Sequence, residues 1–206
     1  IATDRGVELR AGFPAPREPT VAKWRPGDGP VRIVIDRGQA LNLQARGLPT
    51  SEGRSAGRIE VVLVRELDVS NSLETEAFPV SFDHVPSGHW RIYAIARGHE
   101  RWAHGDVTMT RVAPEEVSLD FEVLEFVSGR VQPAPGKRLA LTVVFTPSGW
   151  PRSAVEALLT VDVSADGTFR IPAPGAGEIV LREDSRTIER RPAVGGGAPL
   201  VFTLPD

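Results

Sequence analysis

The stretch F-D-H-V-P-S-G-H-W-R-I-Y-A-I-A-R-G, residues 82–98, decides the fold. In it a Pro-Ser-Gly turn feeds a run in which Trp90, Ile92, Ala94 and Ala96 lie on one face and His89, Arg91, Tyr93 and Ile95 on the other. Period-two alternation of this kind marks a β-strand with two distinct faces. A weaker copy, F-R-I-P-A-P-G-A-G-E-I-V-L, occupies residues 169–181. Two copies spaced by one small β-domain predict two similar modules, with Trp90 as a core plug of the first and the face of His89, Arg91 and Tyr93 turned outward.

Outward from that stretch, short apolar runs alternate with Pro/Gly punctuation. V-R-I-V-I-D (31–36) leads into A-L-N-L-Q-A-R-G (40–47), just as V-S-L-D-F-E-V (117–123) leads into F-V-S-G-R-V (126–131). Each join puts the last strand of one unit almost directly before the first of the next. The units then match element for element: I-E-V-V-L-V (59–64) with L-A-L-T-V-V (139–144), and V-S-L-D-F-E-V with P-L-V-F-T-L (199–204). Residues 65–76 read as a polar loop, residues 77–82 and 90–96 as a hairpin-like pair, and residues 107–112 as a further strand. Asp166-Gly167 is a hairpin signal, because glycine supplies the positive φ of a tight turn. Ser153 and Glu156 have capping-box spacing, which predicts a single helical turn.

The predicted fold class is therefore all-β: tandem small Greek-key β-sandwiches with a partial preceding repeat. Residues 1–36 are assigned to the tail of that preceding repeat or a linker strand, 37–124 to the first sandwich and 125–206 to the second. A composition of 41% hydrophobic and 25% charged residues can pack a core and does not belong to a disordered chain. The 20 glycines and 18 prolines are spread along the chain, which suits many strands joined by turns.

A net charge of −3 lacks the basic stripe that a phosphate backbone requires, so nucleic acid is not an expected partner. The absence of cysteine rules out disulfides, thiol nucleophiles and cysteine zinc sites. No apolar run approaches the roughly 20 residues of a membrane-spanning helix. Ile1 as first residue and Met109 as sole methionine are read as marks of a processed product or a piece of a longer protein. Lys23 and Lys137 are the only lysines among 24 basic residues, a bias that we attribute to GC-rich bacterial coding.

Three phrases carry a resemblance: S-G-R-V (128–131), A-D-G-T-F-R-I-P-A-P-G (165–175) and F-D-H-V-P-S-G-H-W-R-I-Y-A (82–94). They resemble the carboxypeptidase regulatory-like repeat, a transthyretin-like (prealbumin-like) β-sandwich of many exported bacterial proteins. The resemblance implies a non-catalytic spacer or docking module of a larger exported protein, placed outside the cell, in the periplasm or at the cell surface. It also implies a protein partner or neighbouring domains of the parent chain. An accessory domain of a secreted or surface peptidase is an alternative, and so is a carbohydrate-binding module using exposed aromatics.

Candidate chemistry concentrates after residue 82. His84, His89, His99 and His104 fall in one window with Asp83, Glu100 and Asp106, but they read better as turn and surface residues than as metal ligands. Ser87, His89 and Asp83 lack a nucleophile elbow, and Ser87 reads as a turn residue. Asp162-x-Ser164-x-Asp166-Gly167 lacks the bidentate glutamate of a calcium loop, and Gly195-Gly196-Gly197 lacks the lysine of a phosphate cradle. No catalytic residue, metal or cofactor is expected. Trp24, Trp102 and Trp150 stand in Pro/Gly-rich or polar stretches, where an aromatic face binds a sugar ring, meets a partner, or closes a seam between modules. The binding candidates are His89, Arg91, Tyr93, Trp102 and His104. A glycan is the ligand that aromatic faces of this kind suit.

Overall fold

The computed structural model of the protein describes residues 7–11, 20–24, 38–48, 58–65, 70–112, 115–134, 140–184 and 186–204. Strands β1 (Val7–Ala11) and β2 (Thr20–Trp24) pair with each other as an antiparallel ladder. The strand expected over residues 31–36 lies outside the described residues.

The first sandwich is built from β3 (Gln39–Arg46), β4 (Ile59–Arg65), β5 (Ser70–Thr75), β6 (Val80–Val85), β7 (Gly88–Ala96), β8 (Arg101–Met109) and β9 (Glu115–Asp120), with the short β10 (Glu122–Val123) leading out of it. The second follows as β11 (Phe126–Gln132), β12 (Leu141–Pro147), helix α1 (Arg152–Leu158), β13 (Thr160–Asp162), β14 (Thr168–Pro172), β15 (Ala176–Glu183), β16 (Arg186–Val194) and β17 (Leu200–Thr203).

Connectivity is the same in both. Among the described residues the small sheets are ordered β6-β3-β9 and β14-β11-β17, and the large sheets β10-β8-β7-β4-β5 and β13-β12-β15-β16. In each small sheet the central first strand runs parallel to the last strand of its unit, β3 with β9 and β11 with β17, while every other pairing is antiparallel. Crossing between sheets, and not a run of consecutive hairpins, gives the tandem Greek-key sandwich. The protein is all-β in class, with one α-helix among the described residues.

Side-chain alternation explains the inner core of the first sandwich. Trp90, Ile92, Ala94 and Ala96 of β7 join Val61 and Leu63 of β4, and together they face Leu41, Leu43, Phe82 and Leu119 of the small sheet. Trp90 is the predicted plug: it is buried, and its indole Nε1 donates to the Pro86 carbonyl at 2.9 Å. Burial of a large apolar side chain contributes about 1.5–3 kcal/mol, so this face alone outweighs any surface pair. In the second sandwich Val143, Phe145, Ile179 and Leu181 meet Val127, Val131, Phe169, Ile171 and Phe202 in the same manner.

Several local expectations need correction. Strands β6 and β7 do not form a hairpin: β6 pairs with β3 in the small sheet, and β7 with β4 and β8 in the large one. The turn at residues 86–87 is therefore a corner between sheets, and Gly88 at φ +135 takes a conformation that a side chain would resist. A tight turn does form at Asp166-Gly167, with Gly167 at φ +86 and Ser164 N donating to Thr168 O at 2.9 Å, but not the expected hairpin, since β13 pairs with β12 and β14 with β11. It too carries the chain from one sheet to the other.

The expected loop over residues 65–76 contains β5, an edge strand held by backbone pairing to β4. Its sequence S-N-S-L-E-T has little apolar alternation; Leu73 is its one hydrophobic side chain, and it packs against the core of the first sandwich. Strand β8 runs Arg101–Met109 where a strand over residues 107–112 was expected, so it also carries His104. Helix α1 is longer than one turn; Pro151 is its N-cap and no side chain caps it, so the capping box is not formed. Strands β15 and β16 pair as a hairpin, with Asp184 at φ +50, and among the described residues β16 is the edge of its sheet.

Candidate functional site

The five binding candidates all stand on the outer face of the large sheet of the first sandwich. Cross-strand register sets them in a grid: Val62 opposite Tyr93 opposite His104, Val64 opposite Arg91 opposite Asp106, and Ile95 opposite Trp102. Adjacent strands and period-two alternation put all of these side chains on one surface.

That surface is divided. At one end Tyr93 and Ile95 are 5% and 0% exposed, with Val62 and Val64 equally sequestered. They belong to the same apolar cluster as Ala154, Val155 and Leu158 of α1. The expectation of an outward-facing Tyr93 and Ile95 is thus corrected, since the second sandwich covers them. Trp150, just before α1, packs on Tyr93 at a ring separation of 4.4 Å and on Trp102 at 5.8 Å. Helix α1 lies between the two large sheets, touching β4 and β7 on one side and β12 and β13 on the other.

The other end stays in water. His89 and Asp106 pair at 3.3 Å with about half of each side chain exposed (48% and 58%). His104 is exposed and stacks on Trp102, the rings 5.3 Å apart and 13° from parallel. Arg91 is exposed and reaches across the seam to the Gly149 carbonyl at 3.5 Å, the long end of hydrogen-bond range. Burial pushes the Tyr93 hydroxyl above its ordinary value of 10.0. A hydrogen bond and the charge of Arg91 oppose that shift, and Asp106 adds to it.

Two arginines clamp the margins of the seam, and sequence reading had not singled them out. Arg97 donates from Nη2 and Nε to Glu60 Oε2 at 2.9 and 3.1 Å, and Nη2 also reaches the Leu158 carbonyl at 2.9 Å. That carbonyl ends α1, where helix carbonyls lack an intrahelical donor. Arg170 of the second sandwich bonds Glu100 of the first at 2.7 Å and lays its guanidinium over the Phe126 ring at 3.4 Å. Even the connection is structural: Phe121 is buried in one core and Leu124 in the other, while Leu124 N donates to Glu100 O at 2.7 Å. The signal that could have found the seam is the unbroken run I-Y-A-I-A at residues 92–96, because a strand buried on both faces reads as continuous apolar residues.

Among the described residues no group of three or more His, Asp or Glu side chains converges as a metal site. His84 lies on β6 with φ +62, and His99 sits in a 3-10 turn, so the topology disperses the histidine window. The side chain of Trp24 lies outside the described residues.

No family model matches the sequence, and no curated protein is similar to it. Solved structures do show a distant likeness. A streptococcal ancillary pilin aligns over 96% of this chain and 73% of its own, at 13% identity and a TM-score of 0.32. The minor pilin of Streptococcus agalactiae aligns over 81% and 94% at 10% identity and a TM-score of 0.26, and the Bacillus anthracis TIE protein over 91% and 35% at 9% and 0.30.

Proposed function

We propose that the chain is a non-catalytic structural segment, in which two carboxypeptidase regulatory-like sandwiches are fused into one stiff spacer of a larger exported bacterial protein. The observation that carries this reading is the seam. A flexible tether between independent modules would leave Tyr93, Ile95 and Val62 facing water, yet they share an apolar cluster with α1. Interfaces between domains of one chain allow relative motion unless they are large and apolar, and this one adds Arg97, Arg170 and a β-strand in the connection.

On this reading the parent protein acts outside the cytoplasm, and the exposed strip of His89, Arg91 and His104 meets a neighbouring domain or protein partner. Residual dipolar couplings measured on the whole chain test the spacer. One alignment tensor should fit the amides of both sandwiches; two different tensors would show independent modules and remove the proposal.

A further inference from the structure

The outer face of the second large sheet is only partly covered by α1, and beside the helix it leaves a half-open groove of about 400 Å³. That volume falls within the range of small-ligand pockets. Its apolar floor is Val144 and Val180, and the indole of Trp150 forms part of its wall. The same tryptophan touches Tyr93 and Trp102 behind it, so its ring is held in place.

Charge around the groove is unbalanced in a specific way. Arg152 pairs with Glu156 at 2.6 Å, and Arg190 with Glu178 at 3.2 Å. Arg182, the remaining cation of the lining, makes no ion pair or side-chain hydrogen bond among the described residues. It is half-buried, and its register partner Thr187 places a hydroxyl in the same lining. The groove therefore offers an aromatic face, donors and acceptors in alternation, and one uncommitted guanidinium.

We infer that this groove binds an acidic sugar, a pyranose ring carrying a carboxylate, with the ring against Trp150 and the carboxylate on Arg182. A hydroxyl-rich ring needs both donors and acceptors, which the paired glutamates, arginines and threonine hydroxyls supply. The planar guanidinium matches a carboxylate with two parallel hydrogen bonds. Neutral sugars would leave Arg182 unanswered, and a simple carboxylate would leave the indole bare. The same chemistry is presented by a free hexuronate and by the end of an acidic polysaccharide.

The test is saturation-transfer NMR and tryptophan fluorescence on the whole chain, titrated with D-glucuronate, a short oligogalacturonide, D-glucose and acetate. Glucuronate or the oligogalacturonide should bind saturably in the millimolar range or tighter, with glucose and acetate at least about tenfold weaker. Whichever of the two acidic ligands binds more tightly identifies the source. Arg182→Gln should weaken binding by at least about tenfold without lowering Tm. Should that variant fold poorly, Thr187→Val serves in its place, with a loss of about threefold. Absence of saturable binding by both acidic ligands overturns the inference. So does acetate or glucose matching glucuronate, or full affinity in a folded Arg182→Gln chain.

Discussion

The two sandwiches share one strand order and differ in what happens on the outer face of the large sheet. In the first, β4 and β7 are apolar on both sides, V-V-L-V and I-Y-A-I-A, and both sides are buried. In the second, β15 and β16 put Glu178, Arg182 and Arg190 on the outer face, and much of it remains open. The two also differ in one connection. Between β4 and β5 the chain has only residues 66–69, whereas the equivalent connection between β12 and β13 carries Trp150 and α1. Helix α1, set in that connection, is what rests on the outer face of β4 and β7.

Substitutions on the two faces of β7 probe that difference most strongly. Ile92 and Ile95 are both fully buried, one in the inner core and one in the seam. Ile92→Ala should lose about 2–5 kcal/mol of stability, the usual range for truncating a core isoleucine. Ile95→Ala should lose nearly as much by the same reasoning. Chemical denaturation followed by far-ultraviolet circular dichroism measures both. A loss below about 0.5 kcal/mol at Ile95, the size expected for a surface site, would mean that the second sandwich does not rest on this face.

A smaller effect should come from the margin. Arg97→Ala removes bonds to Glu60 and to the last carbonyl of α1. Hydrogen bonds to charged groups contribute about 1.5–3 kcal/mol when well shielded; Arg97 is 35% exposed, so screening brings the expected loss to about 1 kcal/mol. Thermal unfolding should register it as a drop in Tm, and no change would reduce the clamp to ornament. Arg170→Ala, at a pair with both partners more than half exposed, should change Tm less than Arg97→Ala does.

The subtlest test uses the sole tyrosine of the chain as a reporter of the seam. Because burial holds the Tyr93 hydroxyl neutral above its ordinary value of 10.0, the unfolded chain releases that proton first. Stability should therefore fall as pH climbs past 10.0 toward the folded-state value, while at lower pH, where both states hold the proton, this group adds no pH dependence. The tyrosinate absorbance of the folded protein should titrate above 10.0, and Trp150→Ala, which uncovers the ring, should bring the midpoint down. A midpoint at the ordinary value in the unaltered chain would show Tyr93 to be in water.

Much of this molecule can be read from its residues. The repeat of Phe82 by Phe169, the alternation around Trp90 and the near-direct join of one unit to the next lead to tandem sandwiches and to the inner core, because period-two patterning records which side chains share a face. The same patterning gathered His89, Arg91 and Tyr93 onto one surface. It misplaced β5, an edge strand whose pairing is carried by backbone groups that residue type does not reveal. It also turned two inter-sheet corners into hairpins, since a turn motif reports a change of direction and not which sheet receives the next strand.

Residue patterning alone was enough for the strands that line the inner cores, for their faces and for the repeat, all of which depend on neighbours a few residues apart. What covers the outer face of β7 emerges only when the two sandwiches are in place. Tyr93 meets Trp150, and Arg97 meets the end of α1, across more than fifty positions of chain. Contacts of that span arise from how two finished sandwiches dock, and local periodicity carries no record of the docking partner.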